Sequence, residues 1–167
     1  DLVAFIRERH PGFCVGAAAY PEAHPESCSI AEDLDMTVLK VRSGADFLVT
    51  QLFFDNRMYF DFVERLERRG ASVPVVPGVL PILSIKSAKF ILGLCGAAIP
   101  GNFLAALERA HAEGGDEAVA RVGLEHAKRQ ARELLDGGAP GVHLYTLNRA
   151  EACLEIAEAL NHNPYEG

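Results

Sequence analysis

The chain has 167 residues, of which 49% are hydrophobic and 23% are charged, and its formal net charge is −7. A chain of this length typically forms one domain and buries roughly 70% of its unfolded surface. No run of about 18 apolar residues could span a bilayer, and the basic residues are scattered instead of gathered on one face. We therefore expect a soluble, cytoplasmic protein that binds neither membranes nor nucleic acid.

The first residues, DLVAFIRERHPG, place Leu2, Val3, Phe5 and Ile6 at the spacing of the apolar face of a helix. No N-cap residue precedes them, and the charged and apolar regions of a signal peptide are absent. We therefore expect the sequence to begin inside a structural element, with a portion missing upstream.

Short apolar runs alternate with amphipathic segments along the rest of the chain. The runs, such as FCVGAAAY and FLVTQLFF, lack alternating polarity, which is typical of parallel strands covered on both faces. Predicted strands are 13–20, 47–54, 73–79 and 142–147, and predicted helices are 30–42, 59–69, about 84–95, 100–112, 116–135 and 149–160.

Capping and breaking residues support several of these boundaries. Ser29 is a predicted N-cap, with Glu32 at the capping-box position. Asp116 has the character of a second N-cap, and Gly137-Gly138 should stop the helix that follows. Pro77 is expected to end or bend the third strand.

Four repeats of strand and helix imply a parallel sheet with right-handed crossovers. A (β/α)8 barrel of the TIM type needs about 250 residues, so we predict that residues 1–167 form a single, partial domain, a half-barrel of four βα units that lacks its amino-terminal half. Its edge strands would have unpaired backbone groups, which favours a homo-oligomer or pairing with the missing half. An open four-stranded α/β sheet is the alternative.

Ligands of parallel α/β proteins bind at the carboxyl ends of the strands. In this sequence those ends carry Tyr20 to His24, Gln51, 77–81 and Tyr145 to Arg149. Amide, aromatic and phenol groups suit a flat conjugated ligand, and no nucleophile elbow, H-E-x-x-H motif or P-loop is present. Burying the Gln51 amide unpaired would cost about 1–3 kcal/mol, so the alternative for Gln51 is a core amide bonded to backbone.

Cysteines and histidines give no metal-binding pattern. The four cysteines include no C-x-x-C pair, and we expect them to be reduced thiols. His143 lies inside the fourth strand and is expected to be a hydrogen-bonded core residue. Four further histidines lie in helical or terminal stretches, and we expect them to be solvated: His10, His111, His126 and His162.

The segments AAYPEAHPES, GADFLVTQLFFD, PGVLPI, LCGAAIP and HLYTLNRAE, in this order, resemble the second half of methylenetetrahydrofolate reductases. Each segment alone is a weak signal, whereas their combination is specific and covers nearly the whole chain. The resemblance implies a (β/α)8 barrel, with strands five to eight in this chain. It also implies that FAD takes a hydride from NADH or NADPH and reduces 5,10-methylenetetrahydrofolate to 5-methyltetrahydrofolate, in one-carbon metabolism and methionine biosynthesis.

The resemblance also implies roles for individual residues. Gln51 would meet both the folate pterin and the nicotinamide, and Arg149 would bind folate. Without the resemblance, we would interpret Arg149 as a helix-start residue, and Asp33 and Lys40 as exposed charges on a helix. The implied FAD contacts are Tyr20, His24 and Ser27 for the flavin, and Asp33 and Lys40 for the adenosine and pyrophosphate.

Some positions depart from the family pattern. Met36 and Leu39 replace polar flavin contacts of some members, and Ser87 stands at the place of a folate-contacting glutamine. An aromatic residue that covers the substrate in some members is shifted or absent, with Phe90 and Ile91 nearest to its place.

The catalytic glutamate of the family belongs to the first half of the barrel, so this chain should contain no catalytic residue. Glu22 is expected to be a structural or exposed carboxylate instead of a substitute acid. Two other functions remain open: a non-catalytic half-barrel that binds a nucleotide at most, and a barrel enzyme with a phosphate ligand. The glycine-rich phosphate loops that the second would need are missing after strands three and four.

Overall fold

The computed structural model describes residues 2–161, except for the side chain of Leu94; His162 and its predicted environment lie outside this range. No helix within this range is long and apolar enough to cross a membrane. The elements in chain order are α1 (Leu2–Arg9), β1 (Gly16–Ala19), α2 (Ile30–Arg42), β2 (Phe47–Leu52), α3 (Asn56–Arg68), β3 (Val75–Val79), α4 (Ile85–Cys95), α5 (Gly101–Asp136), β4 (His143–Leu144) and α6 (Ala150–Asn161).

The four strands form one sheet in the order β1-β2-β3-β4, and every neighbouring pair is parallel. The predicted α/β class with alternating strands and helices is thereby confirmed. Within residues 2–161, β1 and β4 each pair with a strand on one side only.

The two faces of the sheet differ in their environment. Alternate strand residues such as Leu48, Thr50 and Val79 are fully buried on the helix-covered face, where they contribute to the core. Gly16, Ala18 and His143 are exposed on the opposite, open face. The prediction that His143 is a core histidine is therefore wrong, because no element of the described range covers this face.

Local capping sets the helix boundaries. α2 has the predicted bounds because the Glu32 N–H donates to the Ser29 hydroxyl over 3.1 Å and Gly44 takes a φ of +109° just past the end. α3 begins three residues before its predicted start at Tyr59. The reason is that the Asp55 carboxylate caps it by accepting from the Arg57 N–H over 3.0 Å.

The strands are shorter than predicted, and Pro77 does not end β3. Pro77 is fully buried inside this strand. The pairing of β3 with β2 skips from Val76 to Gly78, and its pairing with β4 begins at Gly78. Because Pro77 stands opposite no residue in either register, its missing N–H removes no hydrogen bond from the ladders.

The predicted break between two helices is present as a kink in α5. Gly114 and Gly115 have non-helical backbone angles, with a φ of +61° at Gly115. After the kink, Gly123 packs on the backbone that follows β3, where a Cβ on this glycine would lie 1.8 Å from the Ile82 oxygen. This contact holds α5 close to the carboxyl end of the sheet.

Two side chains of α5 bond to the backbone that leaves β2. Gln130 Nε2 donates to the Phe53 oxygen over 2.8 Å, and His126 Nε2 lies 3.3 Å from the Phe54 oxygen. The His126 ring stacks on Phe103 at a centroid distance of 3.7 Å. The prediction that His126 is solvated is therefore wrong; burial, with a smaller effect of Arg129, lowers its pKa to about 4.

Replacing Gly123 by alanine should destabilise the fold by about 1–3 kcal/mol or more, because the Ile82 carbonyl would have to move. Chemical denaturation measures this loss. The matched control is Gly93→Ala in α4, where nothing lies within 4 Å of the added Cβ. Helix propensity should make that variant as stable as the parent or more so; equal losses in both variants would contradict the close approach.

Because the folded protein binds the His126 proton more weakly than the unfolded chain does, stability should fall as the pH drops from 6.5 towards 4. Between pH 7 and 4.5 we expect His126→Gln to lose less free energy of unfolding than the parent, by on the order of 1–2 kcal/mol. His111→Gln, at an exposed position of the same helix, is the control. Parallel pH profiles for the parent and His126→Gln would refute this assignment.

Candidate functional site

The loop after β1 presents an aromatic ring and an imidazole side by side. The rings of Tyr20 and His24 meet edge to face, with centroids 4.7 Å apart. Two consecutive turns shape the loop, since the Ala23 N–H donates to the Tyr20 oxygen and the Ser27 N–H donates to the His24 oxygen. The Glu26 N–H donates to His24 Nδ1 over 3.1 Å, which leaves Nε2 as the proton-bearing nitrogen of the neutral ring.

Asp33 and Lys40 of α2 support this loop and strand. Asp33 is buried, and its carboxylate accepts from the Ser27 hydroxyl over 3.1 Å. Lys40 Nζ donates to the Ala18 oxygen over 2.8 Å and lies 6.0 Å from the centre of the Tyr20 ring. The alternative of an exposed helical charge is thus wrong for Asp33, and the half-buried Lys40 keeps its cation beside the predicted flavin contact.

The same loop is attached to the junction between α4 and α5. The Ala98 N–H donates to both carboxylate oxygens of Glu22, at 3.1 and 3.3 Å, and a Cβ at Gly96 would lie 3.2 Å from Pro25. Burial raises the pKa of Glu22, Asp55 adds to the effect, and the bond from Ala98 opposes it. Glu22 therefore has a structural contact, as expected.

Gln51 lies on the open face in a cavity of about 420 Å³. Its Oε1 accepts from the Leu52 N–H over 3.0 Å, so its amide is partly committed to backbone. Within residues 2–161, its Nε2 group has no hydrogen-bond acceptor and remains available to a ligand. The cavity is lined by Gly16, Ala17, Ala18, Tyr20, Phe47, Val49, Gln51 and Tyr145.

Tyr145 also lines this cavity, although its place at a predicted strand end assigned it no role. Its hydroxyl donates to the Thr50 oxygen over 3.0 Å, and its ring lies against Gly78. Burial raises the pKa of Tyr145, with Tyr20 as the next cause, so the phenol remains a donor at neutral pH. The only signal in the sequence is a tyrosine at the carboxyl end of the fourth strand.

Ser87 and Arg149 line a second cavity, of about 550 Å³, beside the loops that follow β3 and β4. The Ser87 hydroxyl takes part in the capping box of α4, accepting from the Ser84 N–H and donating to the Ser84 oxygen. Arg149 is exposed just before α6. Tyr145 lines the first cavity, and the next two residues of the chain, Thr146 and Leu147, line the second.

A further cavity, of about 730 Å³, lies between the start of α3 and α5, and none of the predicted site residues lines it. His126 and Gln130 in its wall are bonded to the backbone leaving β2. Neither in this cavity nor in any other part of residues 2–161 do three or more histidine, cysteine or acidic side chains form a group that could hold a metal ion.

The fold defines a class: a parallel α/β protein, here with aromatic and amide side chains at the carboxyl ends of its strands. The chain belongs to the methylenetetrahydrofolate reductase family, whose family model matches residues 1–161. This finding confirms the resemblance.

Several relatives are similar over nearly the whole chain. A probable methylenetetrahydrofolate reductase (NADPH) of Caenorhabditis elegans is 37% identical over 100% of this chain and 25% of its own length. A methylenetetrahydrofolate reductase (NADH) 1 of Arabidopsis thaliana is 36% identical over 93% of this chain and 28% of its own length. The 5,10-methylenetetrahydrofolate reductase of Escherichia coli is 36% identical over 98% of this chain and 54% of its own length.

A solved structure also has the same fold. It is an uncharacterised protein from Clostridium thermocellum that binds two copies of 5-methyl-5,6,7,8-tetrahydrofolic acid; it matches with a TM-score of 0.65 at 20% identity, over 95% of this chain and 56% of that chain. The present chain thus spans about a quarter to a half of the length of the relatives compared here.

Glu22→Gln should become more stable relative to the parent as the pH rises past about 4.5. In the parent, the folded state holds the Glu22 proton more tightly than the unfolded chain, so ionisation lowers stability in this window. The glutamine keeps an oxygen for the Ala98 N–H. Denaturation at several pH values checks this, with the exposed Glu26→Gln of the same loop as control; a pH-independent difference for Glu22→Gln would contradict it.

Proposed function

We propose that this chain is the carboxyl-terminal half of the catalytic barrel of a flavin-dependent methylenetetrahydrofolate reductase. The observation that carries the proposal is that Tyr20 and Gln51 line one cavity on the open face, while Arg149 lines a second cavity in the segment that follows Tyr145. An elongated ligand with a flat ring at one end and a carboxylate at the other fits this arrangement. Family membership supports the substrate class.

The residues around the open-face cavity fit FAD. Gly16, Ala17 and Ala18 supply a small-residue floor, and Tyr20 and His24 supply a fixed aromatic edge. Lys40 brings a cation to the same edge, suited to phosphate oxygens. We assign Tyr20, His24 and Ser27 to the flavin, and Asp33 and Lys40 to the adenosine and pyrophosphate side. Asp33 would act there through Ser27, to which it is bonded.

When bound, FAD would supply the hydride chemistry, and the protein would bind and orient the reactants. Gln51 would hold the pterin of the folate and the nicotinamide in turn, because its free Nε2 group can donate to a ring carbonyl or ring nitrogen. Relatives are named for NADPH and for NADH, and we propose NADH or NADPH as the hydride donor.

Arg149 would bind the carboxylate end of the folate, since its exposed guanidinium offers a planar pair of donors. Ser87 borders the same cavity, and its hydroxyl would have to leave the α4 cap to bind a ligand. We therefore assign the main substrate contact here to Arg149. The general acid is proposed to lie outside this chain, since the Glu22 carboxylate already accepts from Ala98.

We further propose that residues 1–167 are one partial domain that supplies strands five to eight of the barrel. The unpaired sides of β1 and β4 and the open face would be covered by the other half or by a second copy of the chain. We propose that the assembled reductase acts in the cytoplasm, in one-carbon and methionine metabolism.

The proposal predicts that the chain is yellow when it is produced together with the amino-terminal barrel half that it is proposed to complete. NADH or NADPH should bleach the colour under anaerobic conditions, and methylenetetrahydrofolate should restore it. Absorbance at the flavin band measures both steps. A correctly folded, colourless product would overturn the flavin assignment, and a bleached protein that methylenetetrahydrofolate does not reoxidise would overturn the substrate assignment.

Two matched variants distinguish a specific loss of flavin binding from a general loss of structure. Tyr20→Ala should lower the flavin content per protein, because it removes both the ring and its contact with His24. His10→Ala is the control, since His10 also touches an aromatic ring but precedes β1, at the opposite end of the sheet. Equal flavin content in these two variants would contradict the placement of the flavin.

A further inference from the structure

β2 contains an irregularity at the residue proposed to meet both substrates. Val49 pairs with Val76 and Leu52 pairs with Gly78, so β2 has one more residue than β3 across the same interval. The Leu52 N–H donates to the Gln51 side chain over 3.0 Å, within this irregular stretch. The direction of the Gln51 amide is therefore tied to the local bulge.

Tyr145 bonds to this bulge from two strands away. It follows β4 directly, and its hydroxyl reaches across β3 to the Thr50 oxygen over 3.0 Å. That oxygen belongs to the Thr50–Gln51 peptide, so the bond fixes the peptide plane from which the Gln51 side chain departs. The Gly78 N–H donates to the Thr50 hydroxyl over 2.9 Å and holds the same residue from the other side.

The crossing over β3 requires a glycine. A Cβ on Gly78 would lie 2.5 Å from the Thr50 oxygen and 2.5 Å from Tyr145 Cε2. Any side chain at this position would force the Tyr145 ring and the Thr50 carbonyl apart. The glycine at position 78 thus leaves the space in which the Tyr145 ring crosses β3.

We propose that Tyr145 is a positioning residue for Gln51: through the Thr50 carbonyl it holds the bulge that directs the free Gln51 amide nitrogen towards the ligand. The expected effect on KM rests on the proposed function. The expected effect on the hydrogen bond between the Leu52 N–H and the Gln51 side chain does not depend on it. A merely structural tie would contribute stability without affecting substrate binding.

Tyr145→Phe in the flavin-loaded protein is the test, because it removes only the hydroxyl. We expect the KM for the folate and the KM for NADH or NADPH each to rise about two- to tenfold, the range expected for loss of one hydrogen bond, when both are measured in protein with flavin bound. Tyr59→Phe is the matched control, since the buried Tyr59 hydroxyl donates to the Val75 oxygen over 2.8 Å, away from the open-face cavity. It should lower stability and leave both KM values unchanged.

Hydrogen exchange gives a readout that does not depend on the reaction. In Tyr145→Phe, the Leu52 amide should exchange faster than in the parent, and in Tyr59→Phe it should not. Gly78→Ala, which keeps the hydroxyl but displaces the ring, should reproduce the effect of Tyr145→Phe; if it does not fold, Tyr145→Phe decides alone. Equal KM values and equal Leu52 exchange in the two phenylalanine variants would overturn the inference.

The two proposals fail in different ways. If the parent protein binds neither flavin nor folate, the proposed function fails, while faster Leu52 exchange in Tyr145→Phe would still support the positioning of Gln51. If the parent is an active reductase and Tyr145→Phe matches Tyr59→Phe in both readouts, the positioning role fails and the proposed function stands.

Discussion

The end of β2 is the point on which the site depends, because side chains from distant parts of the chain bond to its backbone. A buried backbone group without a partner costs about 1–3 kcal/mol, so each of these side chains has to be in place for the strand end to keep its shape. The bonded groups are the Thr50, Phe53 and Phe54 carbonyls and the Leu52 N–H. Their partners come from the residue after β4, from α5 and from Gln51 itself. The direction of Gln51 is thus set by parts of the chain far from it in sequence.

A second set of contacts joins the loop after β1 to the rest of the carboxyl edge. Asp33 holds the loop from the helix that follows it, and Glu22 attaches it to the start of the α5 region through Ala98. With its two internal turns, the loop has little freedom to move the Tyr20–His24 pair. Preorganised side chains lose less entropy when a ligand binds, so this proline-containing loop suits the binding role proposed for Tyr20 and His24.

The sequence predicted best those features that depend on neighbouring residues. α2 was correct at both ends because its cap and its terminal glycine are local signals. The predicted strands were too long because hydrogen bonds between strands decide where a strand ends. No residue pattern in FLVTQLFF indicates the bulge at Gln51. His126 and His143 were assigned wrongly for the same reason, since burial depends on which elements meet. The bond from Tyr145 to Thr50 joins residues 95 positions apart, which no spacing rule reveals.

The brevity of β4 has a physical explanation that links the two cavities. Leu147 and Asn148 have φ values of +43° and +63°, a conformation that costs a leucine about 1 kcal/mol or more. Leu147 is 62% exposed, so its burial does not offset this cost. The turn brings the Arg149 N–H within 2.7 Å of the Thr146 oxygen, whereas an extended strand would carry Arg149 away by about 3.3 Å per residue. We interpret the strained turn as the feature that places Tyr145 at one cavity and Arg149 at the other, as the proposed function requires.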